Sequence, residues 1–354
     1  MDEEFPEIDA VVGIAKNDDI VEIINSVMLD RRVVTFGDKL CHNMEGDKLQ
    51  STLPHYAYLR IADGCSNKCS YCAIPLIRGK MRSRKMENII EEAKKFAENG
   101  VKELVIVAQD VTAYGIDLYK KYALPDLLKQ LCKIDGIKWI RLLYCYPERM
   151  TDELIETIKT EDKVLNYIDI PIQHCNKEIL RNMYRGGDEQ SLRELFAKLR
   201  REIPGVVLRT TLITGFPGET EEQFSELAEF VNDIKFERLG CFAYSAEEDT
   251  PAAEMPDQVD EGERQRRADI ITSEQEIRMG EYYAGMVGNT YEVVCEGFDR
   301  YSDMYFGRSM HFAPEIDGMI YFTSAKDKSS LTIGDFVNVK ITDVLENNLL
   351  GERV

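Results

Sequence analysis

The chain of 354 residues is 44% hydrophobic and 31% charged, and 64 acidic against 44 basic side chains give it a formal net charge of −20. At roughly 150 residues per domain this length corresponds to about two to three domains with a sizeable core, which excludes a disordered tail protein. The acid surplus disfavours a general nucleic-acid binder, whose sequence-independent affinity comes from surplus Lys and Arg, and suits a basic partner better. No apolar run approaches the roughly 20 residues of a membrane span. The start, MDEEF, has neither the basic nor the apolar region of a signal peptide, so a cytoplasmic protein is expected. Nine cysteines, an odd number in a long intracellular chain, argue against a disulfide framework.

The first 50 residues hold one apolar run, AVVGI, and one short helix candidate, DDIVEIINSV, followed by a polar stretch to Leu53. Residues 1–53 are thus too little for a domain. From Ala57 to about Ala243 short apolar runs alternate with amphipathic stretches, the pattern of parallel βα units. The runs are AYLRI from Ala57, ELVIVA from Glu103, KWIRLL from Lys138, NYIDI from Asn166, VVLRTTLI from Val206 and RLGCFAY from Arg238. Between two of them, NIIEEAKKFAENG spaces Ile89, Ile90, Ala93 and Phe96 along one helical face and stops at Gly100. The α/β fold expected over residues 54–285 is an open, partial (β/α)6 barrel, two units short of the full (β/α)8 form. Asp260 to Met286, rich in Glu, Arg and Gln, predicts a long helix that leads out of the barrel as a linker. After Gly288 the runs TYEVVCEGF, MIYFTS and DFVNVKITDVL, separated by Gly and Asp turns, predict a small all-β module over residues 286–354.

The chemistry concentrates in GCSNKCSYC, where Cys65, Cys69 and Cys72 follow the first barrel strand with the spacing C-x3-C-x2-C. Three thiolates on one loop can ligate three irons of a [4Fe–4S] cluster, which normally takes four cysteines, and the fourth iron is then free to chelate a small molecule. The alternatives are a zinc site or three unrelated loop thiols. Zinc usually takes paired C-x2-C ligands and a fourth residue, and no second close pair exists here.

The C-x3-C-x2-C loop on a partial barrel resembles the radical S-adenosylmethionine (SAM) superfamily, and the wider string GCSNKCSYCAIPLIRGKMRSR resembles its methylthiotransferase branch. The resemblance implies that Cys65, Cys69 and Cys72 bind the cluster. That cluster would donate an electron to SAM and release a 5′-deoxyadenosyl radical that removes a hydrogen from an unactivated carbon. Tyr71 matches the aromatic position near the adenine. AQDVTAYG replaces the Gly-Gly-Glu that many members carry for the SAM amino group, which makes Gln109, Asp110 and Thr112 the cofactor-binding candidates; the competing reading is a polar βα loop. TLITGFPGET resembles the segment beside the adenine, where Gly215 and Gly218 would let the backbone approach and Glu219 would cap the next helix. A structural turn alone also explains these glycines.

Two methylthiotransferase branches compete, one acting on an adenosine of transfer RNA (MiaB type) and one on an aspartate of small-subunit ribosomal protein S-twelve (RimO type). RLLYCYPERMTDELIE, YIDIPIQHCNKEILRNMYRGG and FGRSMHFAPEIDG resemble the second, over nearly the whole chain. Gln173 and His174, at the end of the fourth strand, are the candidates for catalysis or substrate contact, against the alternative of a hydrogen-bonded structural histidine. Cys145 and Cys175 read as buried inert thiols. In YSAEEDTPAA, Asp249 stands where the family commonly has Gly. The C-terminal module resembles the TRAM domain, a small OB-like barrel. From Met286 on it carries 11 acidic residues, Glu292, Glu296, Asp299, Asp303 and Asp327 among them, against six basic ones including Lys326 and Lys328. Its balance of −5 suits a basic ribosomal protein and makes transfer RNA an unlikely partner. The strongly basic stretch is Lys68, Arg78, Lys80, Arg82, Arg84 and Lys85, available for a SAM or substrate carboxylate unless it is simply a solvated loop.

Relatives of this type carry an N-terminal domain with three further cysteines for a second cluster. FPEIDAVVGIAKNDDIVEII resembles the last strand and helix of that domain, and Cys41 is the one cysteine before the barrel. The expectation is a chain that holds one cluster where the full-length form holds two, with Met1 an artificial start or a boundary. A SAM-binding fragment that cleaves SAM without completing methylthiolation stays open as an alternative.

Overall fold

The structure, a computed structural model, describes residues 5, 7–41, 44–46, 49–324 and 330–354. Met1, Lys326, Asp327, Lys328 and the side chain of Cys41 lie outside the described residues. At the N-terminus β1 (Ala10–Val12) pairs in parallel with β2 (Val33–Thr35), and α1 (Ile20–Val27) connects them. The AVVGI run is thus a strand, and its partner VVT, only three residues long, escapes a pattern search.

All six expected barrel strands form. In chain order they are β3 (Tyr56–Arg60), then after a short antiparallel pair, β4 (Ala62–Asp63) with β5 (Arg82–Ser83), come β6 (Glu103–Val107), β7 (Trp139–Leu142), β8 (Val164–Asp169), β9 (Val207–Thr214) and β10 (Arg238–Ala243). The sheet order is β10-β9-β8-β7-β6-β3 and every pairing is parallel. Shared direction puts all six C-terminal strand ends, and the loops leaving them, on one rim. The connecting helices are α2 (Ile74–Arg78), α3 (Met86–Glu98), α4 (Leu124–Leu131), α5 (Asp152–Thr160), α6 (Lys177–Asn182), α7 (Glu189–Glu202) and α8 (Glu221–Ile234).

Strand alternation divides the barrel's burial in two. Leu59, Leu104, Ile106, Ile140, Leu142, Ile168 and Leu208 pack with Ile89, Ala93 and Phe96 of α3, Leu127 of α4, Leu154 of α5 and Phe196 of α7 in the main core. The alternate residues Tyr56, Val105, Trp139, Leu165, Tyr167 and Val207 form a second core, closed by Val294 and Ala313 of the C-terminal module.

The long helix α9 (Glu261–Met286) spans the expected range, but it is more than a linker. Arg267, Ala268, Ile271 and Gln275 are buried at its barrel end, where Gln275 Nε2 donates to the Phe236 carbonyl at 3.1 Å. Tyr283 and Met286 at its other end join the core of the C-terminal module. One helix therefore belongs to both hydrophobic cores.

The module is a closed five-stranded barrel of β11 (Thr290–Asp299), β12 (Met304–Ser309), β13 (Ile320–Thr323), β14 (Phe336–Leu345) and β15 (Asn348–Arg353) in the order β11-β12-β13-β15-β14. MYFGRS and NLLGER, which form β12 and β15, lack a clear strand pattern because Gly and Arg interrupt the apolar alternation.

A buried charge network joins module to barrel. Glu103 accepts from Arg141 Nε at 2.7 Å and from Arg308 Nη2 at 2.8 Å, and Arg308 Nε donates to Glu296 at 2.8 Å. Glu296 also meets His55 Nε2 at 3.0 Å. Burial alone would raise the Glu103 carboxyl, but Arg308 and Arg141 outweigh it and hold the group down at about 2. Lys138 meets Glu292 at 2.5 Å and Tyr167 donates to Asp317 at 2.7 Å across the same junction. The expectation that the module's acids serve a partner is thus corrected for Glu292, Glu296 and Asp317, which bind the barrel. Among the described residues no helix is long and apolar enough to cross a membrane.

Candidate active site

The cysteine loop leaves β3 and is clamped at both ends. Asp63, fully buried, receives Arg78 Nη1 on one oxygen and Arg82 Nη2 on the other, each at 3.0 Å. Gly64 follows with φ +74°, and a Cβ there would lie 2.4 Å from the Lys80 carbonyl oxygen, so only glycine lets the two ends of the loop touch. Cys65 N donates to the Gly79 carbonyl at 3.1 Å and Met81 N to the Ser66 hydroxyl at 3.2 Å. The basic stretch is therefore not a free carboxylate receptor. Arg78 and Arg82 hold Asp63, Arg84 is buried between Glu45 and Glu92, and the exposed Lys68, Lys80 and Lys85 stand outside the cavity described next.

Cys65, Cys69 and Cys72 are free, half-buried thiols on the wall of one cavity of about 840 Å³ at the C-terminal rim of the barrel. Burial pushes the Cys65 thiol up to about 11 and also raises Cys72, so metal loading must be accompanied by proton release. Among the described residues no three His, Cys, Asp or Glu side chains converge as the ligands of a single ion would. That arrangement does not suit tetrahedral zinc, whereas a cluster takes each cysteine on a different iron and needs the thiols spread around it. The donor set fits a [4Fe–4S] cluster with one iron left open to a small molecule.

Of the expected cofactor residues, Tyr71 and Gln109 line this cavity. Arg185, half-buried on the same wall, donates to the Pro171 carbonyl at 2.8 Å, comes within 3.5 Å of the Tyr71 hydroxyl and lies 4.3 Å from the centre of the Tyr146 ring. Gln109 Oε1 is buried without a hydrogen-bond partner among the described residues, the condition of an acceptor waiting for a ligand donor. Asp110 and Thr112 are placed differently. Asp110 is buried and accepts from Asn67 at 3.0 Å, from the Thr112 hydroxyl at 2.6 Å, from Ala113 N at 3.2 Å and from Arg149. Thr112 in turn accepts from Tyr146 N at 3.1 Å. Both hold neighbouring loops in place and neither faces the cavity.

The GFPGET turn departs from expectation as well. Gly215 and Gly218 both have positive φ, yet neither lines the cavity, and Gly215 is packed against Arg264 of α9. Glu219 does not cap α8. Thr220 does so, in a capping box with Gln223, because its hydroxyl reaches Gln223 N. Glu219 is instead buried, with Arg267 at 2.7 Å and Gly215 N at 3.0 Å. His174 belongs to the same buried group. It is 0% exposed, its Nδ1 accepts from Asn176 N at 2.9 Å, and its Nε2 lies 3.5 Å from Glu219. His174 is thus not among the residues that line the cavity. Gln173 does line the cavity, with φ +72°, held by backbone bonds to Thr211 and Ile213. Cys175 is fully buried, and Cys145, 2% exposed, reaches the cavity wall; burial raises both thiols. At Asp249 the backbone has φ +61°, the conformation that a glycine takes without strain.

Sequence reasoning does not single out Arg60, Tyr146, Arg185 or Glu315, all on the cavity wall. A cation inside the otherwise apolar strand run AYLRI was a signal available for Arg60. Glu315 carried none, for it comes from the C-terminal module, where Tyr58 of β3 donates to it at 3.0 Å.

The sequence matches the radical SAM superfamily over residues 59–231 and the TRAM domain over residues 287–354. Among curated proteins, the chain is 48% identical over 350 residues to the ribosomal protein uS12 methylthiotransferase RimO of Caldanaerobacter subterraneus subsp. tengcongensis, covering 99% of this chain and 79% of that protein. The RimO proteins of Thermoanaerobacter sp. and Clostridioides difficile are each 46% identical over 351 residues. Among solved structures, the radical SAM methyltransferase TsrM of Kitasatospora setae superposes with a TM-score of 0.52 at 14% identity, covering 68% of this chain and 52% of that one, a likeness of fold alone.

Proposed function

The chain belongs to the RimO family of radical SAM methylthiotransferases, and on that premise we propose that it adds a methylthio group to the β-carbon of an aspartate in ribosomal protein uS12, in the cytoplasm. The observation that carries the reading is the meeting of three free thiols, an orphaned amide oxygen and an aromatic ring on one rim cavity. Membership in the family implies a [4Fe–4S] cluster and SAM. Cys65, Cys69 and Cys72 would hold one such cluster, and when bound it supplies the electron that cleaves SAM reductively.

The chain's own residues bind and orient. Tyr71 would pack its ring beside the adenine, and Gln109 Oε1, buried without a partner among the described residues, would accept a hydrogen bond from SAM. Arg185 and Tyr146 stiffen the wall behind Tyr71, while Asp110, with Asn67 and Arg149, fixes the cysteine loop against the next strand end. Gln173 is the substrate-contacting candidate on the far wall. Gly215 and Gly218 shape the turn beneath. The remaining surface acids of the TRAM module, with the net charge of −20, favour the basic protein over transfer RNA as the substrate.

The test is anaerobic reconstitution followed by iron and sulfide analysis, and mass spectrometry of uS12 incubated with the loaded protein, SAM, reductant and sulfide. One cluster per chain, lost in the Cys65→Ala/Cys69→Ala/Cys72→Ala variant, is expected together with a methylthio mass increment on the target aspartate. A full cluster retained by the triple variant would overturn the ligand assignment. Modification of transfer RNA in place of the protein would overturn the substrate.

A further inference from the structure

We propose that Arg60 is the residue that receives the carboxylate of the target aspartate, and that it makes this site select aspartate over asparagine. The proposal rests on the substrate reading above and deepens it.

Two cations reach the cavity wall, and only one is spoken for. Arg185 is anchored to the Pro171 carbonyl and stacked on Tyr146. Arg60 is half-buried, and its guanidinium has no hydrogen bond or ion pair among the described residues. The Arg60 nitrogens remain within reach of water and bind no protein group among the described residues, so the guanidinium is open to the anion of a ligand that enters the cavity. The one carboxylate on the wall, Glu315, is already bonded to Tyr58.

Position favours substrate over cofactor as the source of that anion. Arg60 and Tyr58 lie two apart on β3 and so share the cavity face of the strand, while Leu59 between them points into the main core. Tyr58 touches the wall contributed by the C-terminal module. Arg60 is therefore set between the cysteine loop, which begins five residues later at Cys65, and the module that closes the opposite side. A polypeptide substrate must present its side chain in that gap. Guanidinium is suited to the task because its planar fork pairs both oxygens of a carboxylate and so fixes the rotation of the group beside the carbon to be attacked. An asparagine amide lacks the charge and one acceptor, and would lose that pairing.

A carboxylate also ends the methionine part of SAM, so the experiment separates the two sources. Using the full, cluster-loaded chain, the affinity of a uS12 peptide bearing the target aspartate would be measured beside the same peptide with asparagine, for the unaltered protein, Arg60→Gln and Arg60→Lys, with SAM affinity measured in parallel. The unaltered protein should prefer the aspartate peptide by about 10- to 100-fold. R60Q should lose that preference by weakening the aspartate peptide alone, and R60K should regain part of it, because a point charge replaces the fork. The KM for the peptide should rise more than kcat falls. Undiminished discrimination in R60Q, or a loss of SAM affinity with the peptide preference intact, would sink the assignment. If the unaltered protein modifies the peptide and R60Q does so at equal KM, this inference fails and the substrate reading stands. If the unaltered protein neither binds nor modifies the peptide, both fall.

Discussion

Gly215 and Gly218 sit three residues apart in one turn, with φ +68° and +82°, and the same substitution meets two different environments there. A Cβ on Gly215 would lie 2.4 Å from Cγ and 2.9 Å from Cα of Arg264, and a helix backbone cannot give way as a side-chain tip can. Around Gly218 nothing lies within 4 Å. Gly215→Ala is therefore expected to cost about 2–4 kcal/mol, while Gly218→Ala pays only the backbone penalty of about 1 kcal/mol, as read by urea unfolding of the two variants. Equal losses would show that φ alone governs the turn. The sequence displays both glycines identically; what separates them is α9, nearly 50 residues downstream, crossing above one and not the other.

Between elements, the junction of β6, β7, β11 and β12 is held by Glu103, Arg141, Glu296 and Arg308 with His55 at its edge. Since the Glu103 carboxyl is held down at about 2, below the ordinary 4.5, its contribution is complete above pH 4.5 and is lost as pH falls through 2. His311 beside it is pushed down to about 4 by burial and by the nearby Arg238 and Arg141, so the unfolded chain takes up that proton first and stability also declines as pH drops from 6.5 toward 4. Unfolding midpoints should thus fall in two stages, the first due to His311 and the second to the carboxylates. Glu103→Gln should remove much of the second stage and cost about 3–5 kcal/mol at neutral pH, because two buried guanidinium groups lose their shared anion. Urea melts from pH 7 to pH 2.5 check this, and an unchanged low-pH slope in the variant would contradict it.

At the scale of the whole molecule, net charge is informative only after the internal pairs are set aside. Glu292, Glu296 and Asp317 of the C-terminal module bind the barrel, and Asp299 accepts from Tyr301 N and the Ser302 hydroxyl. Asp303, Glu346 and Glu352 are exposed and make no side-chain bond among the described residues, so they are the acids that project a field without holding the fold together. Reversing these three to Lys should slow association with uS12 by about threefold or more at low salt and flatten the salt dependence, with the unfolding midpoint lowered only by the backbone cost of Lys at the positive φ of Asp303 and Glu346. Stopped-flow association across a salt series would read it, and rates equal to those of the unaltered chain would leave the field without a role.

The sequence by itself determined what depends on near neighbours along the chain: the six parallel strands from short apolar runs between amphipathic stretches, α3 and α9 from their spacing, and the candidate cluster loop from three cysteines within eight residues. The cavity lining was legible only where it belongs to that loop or to a strand end, as with Tyr71, Gln109 and Gln173. Tertiary structure decided the rest. His174 turns inward to Glu219 and Arg78 and Arg82 close on Asp63, while Arg60 keeps a free guanidinium at the cavity wall and Glu315 arrives there from another domain. The physical reason is that a side chain's chemistry is set by which charges and dipoles stand within a few ångströms of it, and for these residues most of them come from distant stretches of the chain.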